Sequence, residues 1–270
     1  MSDTTERLEP LPPAAPAKRR GPRRGILIAI VVVLVLVVVG YFVAERLVRN
    51  YAENYVREQV VAALGLPNGD GVGVELGAGS FLLQAAGGSI NNLRVTIDRL
   101  DVGDLSGAAV LTGTGVPLDS ASPVEKLAVT LSLDEDQLSV LSDSLSGSNL
   151  DGVALEDGVI RITANLSVGP LNLPVTVGLL PGVEDGDIAF TPRDITAAGQ
   201  TLTADALRDG LFGSVAGPLL QTRSFCIADQ LPAALLLDSV QVDGRMLVIG
   251  FTGDGVVLGS PNVADPGSCA

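Results

Sequence analysis

The sequence predicts an α+β protein in which one transmembrane helix precedes a strongly curved antiparallel β-sheet wrapped around amphipathic helices. Three observations carry this expectation. A 20-residue run from Gly25 to Ala44 contains no charge. Apolar residues then recur at three- and four-residue steps, as one face of a helix requires. Beyond Gly69 the period drops to two, which is the period of a strand with one buried face.

Residues 1–24 are polar, rich in Pro and Ala, and carry six Lys or Arg against three acids. With nothing to pack, they read as a disordered basic tip. At 1.5 Å per residue the run 25–44 spans about 30 Å, the thickness of a bilayer's hydrocarbon core. A cleaved signal peptide has a shorter apolar region, about 7–15 residues, and a small-x-small cleavage site. Here Glu45, Arg46 and Leu47 follow instead. Lys18, Arg19, Arg20, Arg23 and Arg24 precede the span and only Arg46 and Arg49 follow it closely. The positive-inside rule then keeps the N-terminus in the cytoplasm and puts residues 45–270 outside, as a single-pass protein with a periplasmic main domain.

From Glu45 to Leu64 the apolar positions Leu47, Val48, Tyr51, Tyr55, Val56, Val60 and Ala63 alternate with Arg46, Arg49, Glu53, Arg57 and Glu58. This is an amphipathic helix continuing from the span and ended by Gly65 and Pro67. Strands follow at Leu93–Ile97, Leu127–Leu133, Ile160–Leu166 and Val175–Val177. Turn residues punctuate them: Glu156-Asp-Gly158, Pro181-Gly182 and Glu184-Asp-Gly186. Further helices are expected from Asp134 to Leu145, from Thr203 to Leu220 despite Gly210, Gly213, Gly217 and Pro218, and over Leu231–Leu237. Arg245–Phe251 with Gly255–Leu258 reads as a closing hairpin.

Composition excludes several kinds of chemistry. The chain has no His, which removes the usual neutral-pH base and the commonest transition-metal ligand. A net charge of -14 disfavours nucleic acid as a partner, because affinity for phosphate backbones comes from Lys and Arg. Carboxylates are the remaining catalytic candidates, in the runs Asp134-Glu135-Asp136 and Glu184-Asp185-x-Asp187. Both occur where a helix start or a hairpin turn calls for acids on its own account. Neither run has EF-hand spacing, and the stretch containing Gly71 and Gly73 lacks the Lys-Ser/Thr of a P-loop. No enzyme activity, metal or cofactor is expected. Cys226 and Cys269 are the only cysteines, free in a reducing compartment or paired in an oxidising one. Export favours the pair, which would close a loop of about 40 residues worth about 3–4 kcal/mol.

The aliphatic strand faces, with only 3% aromatic residues in the whole chain, suit either a solid core or a groove that buries acyl chains. A resemblance favours the groove. From about Ala44 to Cys269 the chain resembles the actinobacterial LmeA-like phospholipid-binding family. The resemblance is carried by Ala44-Glu-Arg-Leu47, Gly79-Ser-Phe-Leu-Leu-Gln84, Gly88 and Leu93–Asp98. It continues through Phe225-Cys226, Leu231-Pro232, Val240, Val242, Gly244, Leu247 and Cys269. Gly79-Ser80 departs from the Gly-aromatic-Pro expected before the phenylalanine. The resemblance implies a cell-envelope lipid binder associated with mannolipid (lipomannan and lipoarabinomannan) assembly, with a fold similar to tubular lipid-binding modules.

The expected ligand is therefore a membrane lipid, either a phospholipid or a polyprenyl-type lipid, bound by burial and transferred without bond chemistry. Alternation assigns its contacts to Leu93, Val95, Ile97, Leu127, Val129, Leu131, Ile160 and Ile162, with Phe81 and Leu82 at the entrance. The rivals are an envelope interaction protein with a solid core, and an enzyme using Asp134, Asp136, Glu184 and Asp187.

Overall fold

The computed structural model describes residues 23–102, 105–138, 150–168, 171–197, 199–209, 220–258 and 260–269. The expected basic tip lies outside them as far as position 22. Contacts divide the chain into two units, Met1–Arg46 and Leu47–Ala270. Helix α1 runs through the boundary, from Arg23 to Ala63, as 41 continuous residues. By length and composition it is long and apolar enough to cross a membrane, and Val31 to Val39 are exposed along it. Gly65, at φ 63°, ends the helix. Leu66 N–H donates back to Val61 O at 3.0 Å, satisfying a carbonyl that the helix leaves open.

The second unit is mostly strands. In chain order these are β1 (Val72–Leu76), the short helix α2 (Phe81–Ala86), β2 (Ser89–Val102), β3 (Leu105–Pro117), β4 (Pro123–Asp134) and β5 (Leu150–Glu156). Then come β6 (Val159–Val168), β7 (Leu171–Glu184), β8 (Asp187–Ala197), β9 (Gln200–Thr203), helix α3 (Ala204–Asp209) and β10 (Arg223–Phe225). Strands β11 (Leu236–Asp243) and β12 (Met246–Val257) and the turn of helix α4 (Pro261–Ala264) complete the chain.

Two antiparallel sheets form where one curved sheet was expected. The larger has the order β1-β2-β3-β4-β12-β11; the second has the order β10-β8-β7-β6-β5, with β9 also paired to β8. Asp157-Gly158 and Asp185-Gly186 are both two-residue hairpin turns with positive φ at each position (54° and 76°; 53° and 86°). That is the type I′ geometry whose twist matches antiparallel strands.

Three local expectations are corrected. Pro181-Gly182 is no turn: both residues lie inside β7, paired with Phe190 and Ala189. β6 pairing stops at Ile160↔Leu179, so the proline occupies a stretch where β7 has one partner and a missing N–H is tolerated. Met246–Val257 is one strand, not two, and its hairpin partner is β11 across Gly244-Arg245. Leu231–Leu237 is not helical. Pro232 bridges Pro266, and alternation begins at Leu236. The helix expected from Thr203 is present from Ala204, with the Thr203 hydroxyl accepting from Ala206 N–H at 3.2 Å, and is described as far as Asp209. Residues 210–219, including Gly210, Gly213, Gly217 and Pro218, lie outside the described residues. At Asp134, β4 ends and residues 135–138 are helical; the remainder of that predicted helix is likewise outside.

Cys226 and Cys269 are bonded, with Cα atoms 5.8 Å apart. Around them the terminal segment is stitched down by Ala233 N–H to Asp265 O and Gly267 N–H to Leu231 O, at 3.0 and 2.9 Å.

Candidate functional site

The alternating residues meet on one face of the larger sheet. Directly opposed residues of antiparallel strands share a face, so the register can be followed across the sheet. One row runs Val72, Ile97, Ala109, Leu131, Ile249, Val240. The next runs Val74, Val95, Leu111, Val129, Phe251, Leu237, and a third runs Leu76, Leu93, Gly113, Leu127, Gly253. All six predicted residues from β2 and β4 therefore belong to one apolar surface.

That surface has two covers. Over β1 to β3, Val56, Val60 and Val61 of α1 pack against Val72, Val74, Val95, Ile97 and Ala109. Two arginines of the same helix secure β1, an edge strand whose outer carbonyls would otherwise go unpaired. Arg49 donates to Leu76 O at 2.5 Å and Gly79 O at 2.6 Å, and Arg57 donates to Val72 O at 2.9 Å. Over β4, β12 and β11 the cover is the second sheet: Leu155 and Ile160 join Leu133, Val240, Leu247, Ile249 and Phe251 in one buried cluster. Ile162, Val153, Val129 and Leu131 pack at its margin. Leu131 touches both clusters and marks the seam between the covers.

Burial across this face is uneven. The flanking strands hold Val95 at 2%, Ile97 at 6% and Phe251 at 6% exposure. On the two central strands Ala109, Leu127 and Leu133 are buried as well, but Leu111, Val129 and Leu131 between them are only half-buried. Val153, Ile162 and Val177 of the second sheet are half-buried as well. The face is buried over much of its extent and part-open at Leu111, Val129 and Leu131.

Of the predicted contacts, Val95, Ile97, Leu127 and Ile160 are buried, and Leu93, Val129, Leu131 and Ile162 are half-buried. Phe81 is buried with Leu76, Ile90, Val116 and Val124, while Leu82 beside it is half-buried. Ser80 caps α2 by accepting from Leu83 N–H at 3.2 Å. Gln84 ties the turn to β2, its Oε1 accepting from Asn91 N–H at 2.9 Å. Two surface depressions, of about 360 Å³ beside Arg57 and Gly65 and about 210 Å³ beside Asp254 and Asn262, include none of the predicted side chains.

Sequence reasoning missed several strands, β1, β3 and β11 of the larger sheet among them. In β3, Gly107-Ala-Ala-Val-Leu-Thr-Gly-Thr-Gly115 has too little β-branched character to announce a strand, yet it supplies Ala109 and Leu111 to the centre of the face. Near its end, Gly115 at φ 60° and its counterpart Gly255 at φ 65° turn the backbone. Val116 and Val256 then lie over Gly113 and Gly253, where an added Cβ would come within 2.6 and 2.8 Å of their methyl groups. Those glycines leave room for the two valines to fold back over their own strands.

The acidic runs have local work. Asp134 Oδ1 accepts from Gln137 N–H at 3.0 Å, and Gln137 Oε1 accepts from Asp134 N–H at 3.1 Å, a reciprocal helix cap. Glu135 pairs with Arg245 and accepts from Leu155 N–H at 2.8 Å. The Arg245 hydrogen bond, then the backbone one, hold this carboxyl below its ordinary value. Glu184 and Asp187 flank the β7–β8 turn. Asp194, the buried charged side chain among the described residues, is 2.9 Å from Arg161 Nη1. Both flank Gly178 in the sheet, and the missing side chain lets the guanidinium reach across β7.

A model of the LmeA-like phospholipid-binding family matches residues 43–252. No curated protein and no solved structure matches the chain.

Proposed function

Because the chain belongs to the LmeA-like phospholipid-binding family, we propose that it is a membrane-anchored envelope protein that takes the acyl part of a phospholipid or related lipid onto the seam of its apolar face. A part-open patch within this otherwise buried face carries this reading. Leu111, Val129 and Leu131 sit at inward positions on central strands, flanked by a helix on one side and a sheet on the other, and remain part-open. Each acyl CH₂ that leaves water against them contributes about 0.8 kcal/mol, so a lipid chain can part the two covers by filling the space between them. No polar group among these residues orients a reacting bond, which supports burial and transfer rather than catalysis.

The apolar part of α1 supports anchoring, and the basic residues before it support a cytoplasmic N-terminus with the sheets in the periplasm. In that setting a lipid carrier would serve mannolipid assembly or lipid transfer. Native mass spectrometry of the full chain, released gently from its own membrane, tests the reading. A stoichiometric lipid that is lost in a Val129→Trp variant, which fills the seam, is the expected result. An apo mass that takes up no added phospholipid would overturn it in favour of a solid-core interaction protein.

A further inference from the structure

Several stretches of the second unit carry no charge, and two of them meet in the fold. Residues 76–93 contain no Asp, Glu, Lys or Arg, nor do residues 105–118, in a chain of net charge -14. The register brings them together at one end of the larger sheet: Ser89 pairs with Pro117, and Leu118 N–H donates to Gly88 O at 3.0 Å. Two leucines stand out from the core there, Leu83 on α2 at 70% exposure and Leu118 after β3 at 52%. Gly87 N–H donates to Leu83 O at 3.0 Å, so one short run of backbone joins the two sites. The nearest charge in sequence, Asp119, is occupied within its own turn by Ala121 N–H at 3.1 Å and the Ser122 hydroxyl at 3.2 Å. The opposite end of the sheet is different in kind, with Asp134 paired to Met246 and with Asp101 and Asp243 beside the other turns.

Helix α1 says what the α2 end meets. Arg49 donates to the carbonyls of Leu76, Gly77 and Gly79, the turn that leads into α2, whereas Arg57 donates to Val72 at the far end of β1. The helix therefore enters this unit at the end that carries α2. Arg49 is five residues beyond Ala44, the last of the uncharged run, which is about 8 Å of helix.

We propose that α2 and the turn after β3 form a docking cap that rests on the bilayer holding α1, with Leu83 and Leu118 immersed at the level where headgroups meet acyl chains. The proposal rests on reading the apolar helix as an anchor. An exposed apolar pair on two uncharged stretches, with only Arg49 at Gly79 and Glu125 at Gly115 shown against them and next to the point where the chain arrives from a membrane span, fits a lipid interface better than it fits water. A lipid bound for the seam then leaves the bilayer beside Leu82 and does not cross the aqueous phase.

The chain has no Trp, so one introduced tryptophan reports alone. Full-length Leu83→Trp and Leu118→Trp variants are reconstituted into phosphatidylcholine–phosphatidylglycerol vesicles with and without brominated acyl chains, beside Met246→Trp at the opposite end. Both cap positions are exposed, so neither substitution disturbs the core. Blue-shifted emission and loss of most intensity in brominated vesicles are expected at Leu83→Trp and Leu118→Trp, with Met246→Trp unaffected. Flotation on the same samples separates the two ways of failing. A chain that does not float with vesicles overturns the anchor reading and this inference with it. A chain that floats while the cap tryptophans are quenched no more than Met246→Trp overturns the inference alone.

Discussion

Where α1 covers β1 to β3, the cover is a row of three valines one helix wide, fastened by two arginines to the carbonyls of an edge strand. Where the second sheet covers β4, β12 and β11, leucine, isoleucine and phenylalanine side chains from both sheets fill one cluster. The helix side is a local attachment made by residues close in sequence to β1. The sheet side is made of long-range contacts and buries larger side chains. Stability should therefore concentrate on the sheet side, and movement that opens the seam should come at lower cost from the helix side.

Truncations on the two sides sharpen that contrast. Phe251→Ala removes a 6%-exposed ring from the sheet-side cluster and should cost about 3–5 kcal/mol in urea unfolding. A cost near zero would mean that the sheets are not packed as described. Reducing the Cys226–Cys269 bond should cost about 3–4 kcal/mol by the loop-entropy model, read as a lower midpoint in reductant. Arg49→Met strands three carbonyls and should cost about 1.5–3 kcal/mol. Hydrogen exchange should rise in β1 and α1 while β12 stays protected; equal loosening of both would erase the distinction between the covers. Val60→Ala, on the half-buried helix row, should cost only about 1 kcal/mol and should speed lipid uptake if the helix side is the side that opens.

The smallest effect is a pH dependence at the sheet-side margin. Glu135 titrates lower in the folded chain than unfolded, first through its hydrogen bond with Arg245 and then through Leu155 N–H. Its contribution is complete at neutral pH, above the unfolded value, and is lost as pH falls through the lowered folded value. Comparing acid unfolding of the native chain with Arg245→Ala should show a slightly shallower loss of stability with acid in the variant. Identical curves would remove Glu135 from the account.

Much of the apolar face was legible because a half-buried strand writes its face into alternate residues. Leu93, Val95 and Ile97, and Leu127, Val129 and Leu131, lie on the surface that their spacing predicts. The two Asp-Gly hairpins were legible for a similar reason, since few residues other than Gly, Asn and Asp tolerate positive φ at both turn positions. Pro181-Gly182 misled because a proline marks a turn or an edge equally well, and only the length of β6 decides which. Leu231–Leu237 misled because a short apolar run has no period of its own. β3 stayed hidden because its glycines and alanines carry no strand preference, although the face needs them small.

The amino-acid sequence by itself determined the apolar run, the amphipathic helix after it, the faces of the alternating strands and the family to which they belong. These are local properties, set by the order of side chains along one element. Only the tertiary structure decided that the strands divide into two sheets, that Ile160 and Ile162 oppose the β4–β12 half while α1 lies on the β1–β3 half, and that the seam stays part-open. Periodicity says which residues share a face, but which faces meet depends on register, chain reversals and side-chain volume across strands far apart in sequence.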